Sequence, residues 1–85
     1  MLVPLHGFLR GDTVGLLLLV HDTDRLDHVA RTLIDAAAVR VAPPAHARLY
    51  SGGVELPLDA TVASAGLTPL ARVDLIPDGE RRGES

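Results

Sequence analysis

Only one stretch of this chain repeats apolar residues at helical spacing. Leu26, Val29, Ala30, Leu33 and Ala37 recur at the 3, 4, 7 spacing of a single stripe. Asp22, Thr23 and Asp24 precede it with side chains suited to capping a helix N-terminus. Pro43-Pro44 ends it, because proline removes a backbone donor and pushes the residue before it out of helical geometry. The spacing predicts one amphipathic helix of about four turns. A lone helix can bury such a stripe only against another layer, and the remaining apolar segments all read as extended.

Residues 3–9 and 14–20 are two such runs, separated by the polar turn Arg10-Gly11-Asp12-Thr13, and predict an N-terminal β-hairpin. Residues 47–50 and 54–56 predict two short strands around Ser51-Gly52-Gly53, the second broken by Pro57. Residues 61–67 read as one capped helical turn. Residues 71–76 alternate Val73 and Leu75 against Arg72 and Asp74, the pattern of a half-buried strand. The expected architecture is α+β, a mixed sheet packed on one amphipathic helix. Residues 1–77 form the domain and 78–85 a polar, flexible tail. A chain of 85 residues has room for one core.

That core is aliphatic, since 47% of the residues are hydrophobic but there is one Phe, one Tyr and no Trp. With no cysteine, the fold forms without disulfides or thiolate metal sites. A net charge of −3 and scattered arginines argue against nucleic acid as a partner. The longest apolar run, residues 16–20, is far short of the ~20 residues that span a bilayer. The N-terminus lacks the charged region and cleavage site of a secretory signal, so the expected location is cytoplasmic, away from membranes.

The chemistry-bearing residues do not gather. His6, His21, His28 and His46 include no pair at the three- or four-residue spacing of a helical metal site. Asp22, Asp24 and Asp27 lack the twelve-residue loop, central glycine and closing Glu of a calcium site, and read as charges favourable at a helix N-terminus. Ser51-Gly52-Gly53 is followed by a strand, so it is a turn and not a phosphate cradle. None of the three Glu residues lies in a Glu-x-x-His motif, as a diiron site would require. No catalytic, cofactor-binding or metal-ligating residue is expected in this chain, and no directly bound small-molecule substrate.

The element order is that of the β-grasp, and the second half resembles ubiquitin. Arg48-Leu49-Tyr50, Gly53, Leu56, Thr61, Val62 and Leu67 fall on ubiquitin-like positions, as do the strand and helix residues Leu16, Leu18, Val20, Leu26, Val29 and Leu33. Within that superfamily about nine-tenths of the chain resembles the B protein of toluene 4-monooxygenase systems, the ubiquitin-like γ subunit of multicomponent diiron hydroxylases. Val3-Pro4-Leu5-His6, Phe8 followed by Asp12, residues 16–20, Leu26-Asp27-His28-Val29-Ala30, Arg40-Val41-Ala42-Pro43 and residues 56–69 carry the resemblance. Two features depart from it, the glycine in the turn Arg10-Gly11-Asp12 and the polar tail. The resemblance implies a non-catalytic subunit that docks on a large diiron subunit and its companions, in a complex acting on aromatic or alkene hydrocarbons. The iron then belongs to the large subunit.

A surface is therefore the expected functional feature. In the ubiquitin-like register Leu16, Leu18 and Val20 point inward, leaving Leu17 and Leu19 outward beside Phe8 or His6 as an apolar docking patch. The alternative is that the tail or the loop 40–47 folds over them. Arg40, Val41 and Pro43 form a second candidate, a rigid segment whose arginine suits a partner carboxylate. Two other functions fit a β-grasp. One is an adaptor domain of another assembly, such as a secretion apparatus. The other is a ubiquitin-like modifier or sulfur carrier, which the ending Gly83-Glu84-Ser85 disfavours because activation needs a terminal Gly-Gly. The absence of Lys also rules out isopeptide-linked self-chains.

Overall fold

The computed structural model describes residues 1–12 and 14–78. The tail expected over residues 78–85 lies, past Asp78, outside the described residues. The elements are β1 (Leu2–Leu9), β2 (Leu16–His21), α1 (Leu26–Ala37), β3 (Ala47–Ser51), β4 (Val54–Leu56) and β5 (Ala71–Pro77). They form one five-stranded sheet in the order β2-β1-β5-β3-β4. Strands β1 and β5 run parallel at its centre and the other neighbours are antiparallel. This mixed sheet with one helix across it is the expected β-grasp.

Strand parity sorts the residues. Val3, Leu5 and Leu9 of β1, Leu18 and Val20 of β2, Leu49 of β3, and Val73 and Leu75 of β5 are buried under the helix. The helix contributes Leu26, Val29, Ala30, Leu33 and Ala37, the five residues of the predicted stripe. Fully burying a leucine or valine stabilises the fold by about 1.5–3 kcal/mol, so this cluster is the main source of stability in a chain without cross-links.

The helix ends differ from the sequence expectation. Its N-cap is Arg25, which makes no side-chain capping bond. Asp24 instead accepts from the His21 N–H at 2.9 Å. The helix's first donors are taken by the loop after β4: Leu26 N–H donates to the Ala60 carbonyl at 2.8 Å and Asp27 N–H to Leu58 at 2.9 Å. At the other end the helix stops at Ala37, about three turns long and well before Pro43-Pro44. Leaving the helix there lets Val41 pack on the core, while Val39 stays exposed.

Two turns follow their predicted chemistry. Ser51 pairs with Val54 across Gly52 and Gly53, both at positive φ (60° and 82°), the geometry that a two-residue hairpin favours and glycine supplies. The turn at 61–67 is capped reciprocally, with Ser64 N–H donating to Thr61 Oγ1 (3.0 Å) and Thr61 N–H to Ser64 Oγ (2.9 Å). It closes as a Schellman motif, Leu67 N–H on the Val62 carbonyl and Gly66 N–H on Ala63.

Candidate functional site

Burying one face of the sheet leaves the other open. On β2 the residues facing out are Leu17, Leu19 and His21, the two leucines each 64% exposed. The register sets Leu19 opposite Pro4 and Leu17 opposite His6. Leu2, on the same side of β1, is also exposed. The loop 40–46 does not cover the two leucines, since its one apolar anchor, Val41, packs on the core instead.

Phe8 lies on the same face but is not open like the leucines. Its half-buried ring sits against the backbone of Gly15, where a Cβ would collide with it. The Arg72 guanidinium stacks over it, 4.1 Å from the centroid, a contact worth about 0.5–1 kcal/mol at an exposed site. Arg72 is held in turn by Asp74 at 3.0 Å. Phe8 therefore marks the boundary between the leucine patch and a charged half of the sheet. That half carries Arg48, Tyr50, Arg72 and Asp74, with Arg48 reaching Glu55 at 3.7 Å and Asp78 at 3.4 Å.

The second candidate segment divides. Arg40 is engaged within the chain: Nε and Nη2 grip the Asp12 carboxylate at 2.8–3.1 Å. Its side chain is one-third exposed, but that of Asp12 is 2% exposed. The carboxylate raises the Arg40 guanidinium above its ordinary value, chiefly through the hydrogen bond. Val41 is half-buried on the core, and Pro43 is exposed. The arginine expected to meet a partner carboxylate instead ties the segment after α1 to the loop joining β1 and β2.

Sequence reasoning missed Leu70. It is a non-glycine residue at positive φ (67°), it is 59% exposed, and its N–H donates to the Pro4 carbonyl at 2.6 Å. An exposed leucine held in left-handed geometry extends the apolar surface beside Pro4. No periodicity in Thr68-Pro69-Leu70 signals it, whereas the alternation in β1 does place Leu2 and Pro4 on the face of His6.

Among the described residues no group of three or more His, Cys, Asp or Glu could hold a metal. A depression between the β1–β2 loop and the β3–β4 turn is lined by Arg10, Asp12, Tyr50, Arg72 and Asp74, with no Ser, His or Cys among its described walls. No helix among the described residues is long and apolar enough to cross a membrane.

The fold and this open face define a ubiquitin-like β-grasp domain that presents a surface. The family model for toluene-4-monooxygenase system protein B matches residues 2–76. The chain belongs to that family. A chain in a solved structure of the toluene 4-monooxygenase HD complex with the inhibitor 4-bromobenzoate superposes with a TM-score of 0.84 at 27% identity, covering 92% of this chain and 100% of that one. The ubiquitin of Caldiarchaeum subterraneum superposes at 0.73 with 22% identity, over 91% of this chain and 94% of that one. A designed protein based on ubiquitin gives 0.74 at 18% identity, over 87% and 85%. No curated protein sequence matches the chain.

Proposed function

We propose that this protein is a non-catalytic structural subunit of a multicomponent diiron monooxygenase acting on aromatic or alkene hydrocarbons, and that it docks on the large diiron subunit and its companions. The observation that carries the reading is the pairing of family membership over residues 2–76 with an apolar face at Leu17 and Leu19 that no described residue covers. A single exposed leucine marks nothing, but Leu17 and Leu19 lie beside Pro4 and the exposed Leu2 on one face, and a contiguous exposed apolar patch marks an interaction site. On this reading the chain holds no cofactor or substrate itself, and the diiron centre belongs to the large subunit. Its contribution is to stabilise or position that subunit, working in the cytoplasm.

Co-expression with the large diiron subunit from the same gene neighbourhood, followed by size-exclusion chromatography with mass detection, tests this. Co-elution at a fixed ratio is expected. Leu19→Asp is expected to weaken co-elution while the isolated domain keeps its unfolding midpoint, because the side chain it replaces is solvent-facing. Clean separation of the wild-type chains overturns the reading and favours an adaptor role in another assembly.

A further inference from the structure

The sheet ends in two edge strands, β2 and β4, and they are built differently. β4 is three residues long, carries Glu55 and is followed by Pro57, the short, charged, proline-flanked edge that resists further pairing. β2 is six residues long, Leu-Leu-Leu-Leu-Val-His, with no carboxylate, arginine, proline or glycine.

The hydrogen bonding shows which of its peptide groups face out. Asp22 N–H donates to the Met1 carbonyl at 2.9 Å, one pair beyond Leu2 and His21 in the β1–β2 register. Antiparallel pairs alternate between bonded and non-bonded, so Val20, Leu18 and Leu16 turn their peptide groups toward β1. His21, Leu19 and Leu17 turn theirs to the open edge. His21 agrees: its N–H donates to Asp24 Oδ2 at 2.9 Å and its carbonyl accepts from Asp24 N–H at 3.0 Å. The chain thus closes its own edge at His21 and, among the described residues, leaves it open at Leu17 and Leu19. These are the same two residues whose side chains are exposed on the open face.

We propose that the partner adds an extended strand of its own to β2 at Leu17 and Leu19. The occupant is an uncharged, apolar segment of the large diiron subunit, and the inference rests on the subunit reading above. Edge and face converge on the same residues, so one partner can take the four backbone groups and cover the leucines at once. Pairing β2 with a second copy of this chain would close both edges and leave both apolar faces bare, and two open residues alone make a poor foundation for a stable dimer.

Two variants of the full chain separate the backbone from the side chain. Leu19→Pro deletes the outward N–H and sets a ring on the edge. The β1 ladder does not use that N–H, and edge strands are where proline is admitted. Leu19→Thr keeps the N–H and the strand preference but removes the apolar surface. With binding to the purified large diiron subunit measured by calorimetry, Leu19→Pro is expected to lose more affinity than Leu19→Thr, by at least about tenfold. In the wild-type complex the amides of Leu17 and Leu19 are expected to gain protection from hydrogen exchange. A folded Leu19→Pro that binds like wild type overturns strand addition and leaves the subunit reading standing. Wild-type protein that fails to bind overturns both. Should Leu19→Pro not fold, unprotected Leu17 and Leu19 amides in the wild-type complex overturn the proposal. A concentration-dependent homodimer of isolated wild type, abolished by Leu19→Pro, assigns the edge to a second copy and overturns the chosen occupant.

Discussion

The Asp12 side chain is almost out of reach of water, and Arg40 grips both of its carboxylate oxygens. Removing the guanidinium takes the opposite charge away from a nearly enclosed carboxylate that also accepts from the Val14 N–H at 3.3 Å, which costs more than losing an exposed pair. Arg40→Ala is expected to lower the thermal midpoint clearly more than Arg25→Ala, whose bond to Asp27 joins two half-exposed side chains; equal shifts in differential scanning calorimetry would refute this. The Arg40 contribution does not fade within ordinary pH. A base whose folded value is raised keeps its stabilisation below the unfolded value and loses it only as pH rises through the folded one, here beyond the ordinary arginine range. Leu70 argues in the opposite direction. Left-handed geometry costs a β-carbon-bearing residue roughly 1–2 kcal/mol, part of which glycine's greater unfolded-state entropy takes back. Leu70→Gly is expected to raise stability by about 0.5–1 kcal/mol in urea unfolding while weakening association with the large subunit. Neither residue was legible beforehand. Asp12 reads as a turn residue, and its partner is 28 positions away with no periodicity to connect them.

The elements themselves were legible wherever local chemistry decides them. Helix α1 buries the stripe its spacing marks, Gly52-Gly53 turns where a hairpin needs positive φ, and β5 alternates as its sequence alternates. The helix N-terminus was not, because its donors are satisfied by carbonyls at residues 58 and 60, contacts that only the tertiary fold creates. Nor was the role of Gly7. A Cβ there would lie 3.0 Å from Leu18 Cδ1 and 3.1 Å from Leu33 Cδ1, so its hydrogen lets the helix sit close to the sheet. Gly7→Ala is expected to destabilise by about 1–3 kcal/mol through overpacking. Adding Leu33→Val, which trims the crowded side chain, is expected to cost less than the sum of the two single changes. Strict additivity in urea denaturation would show that the two sites do not share this contact.

At the scale of the whole molecule the open face has two halves of different character. One side offers Leu2, Pro4, Leu17 and Leu19, with His6 and His21 among them. The other carries charges largely balanced among themselves through Arg72 with Asp74 and Arg48 with Glu55 and Asp78. The division follows from strand parity, and parity is why the sequence placed Leu17 and Leu19 outward correctly. It did not foresee that Arg40 grips Asp12, since nothing local says whether an arginine points to solvent or to a carboxylate of its own chain. A partner seated on the apolar half gains by removing hydrocarbon from water, whose signature is a negative heat-capacity change. The exposed ion pairs contribute about 0–1 kcal/mol each and are already satisfied, so they add little attraction. Binding to the large diiron subunit is therefore expected to grow more exothermic with temperature between 10 and 30 °C, roughly linearly. Its affinity is expected to change less than about threefold between 0.05 and 0.5 M salt, because screening acts on charges and not on buried leucines. Titration calorimetry at several temperatures and two salt concentrations reads both quantities. A steep loss of affinity in salt would move the interface to the Arg48–Arg72 half of the sheet and away from Leu17 and Leu19.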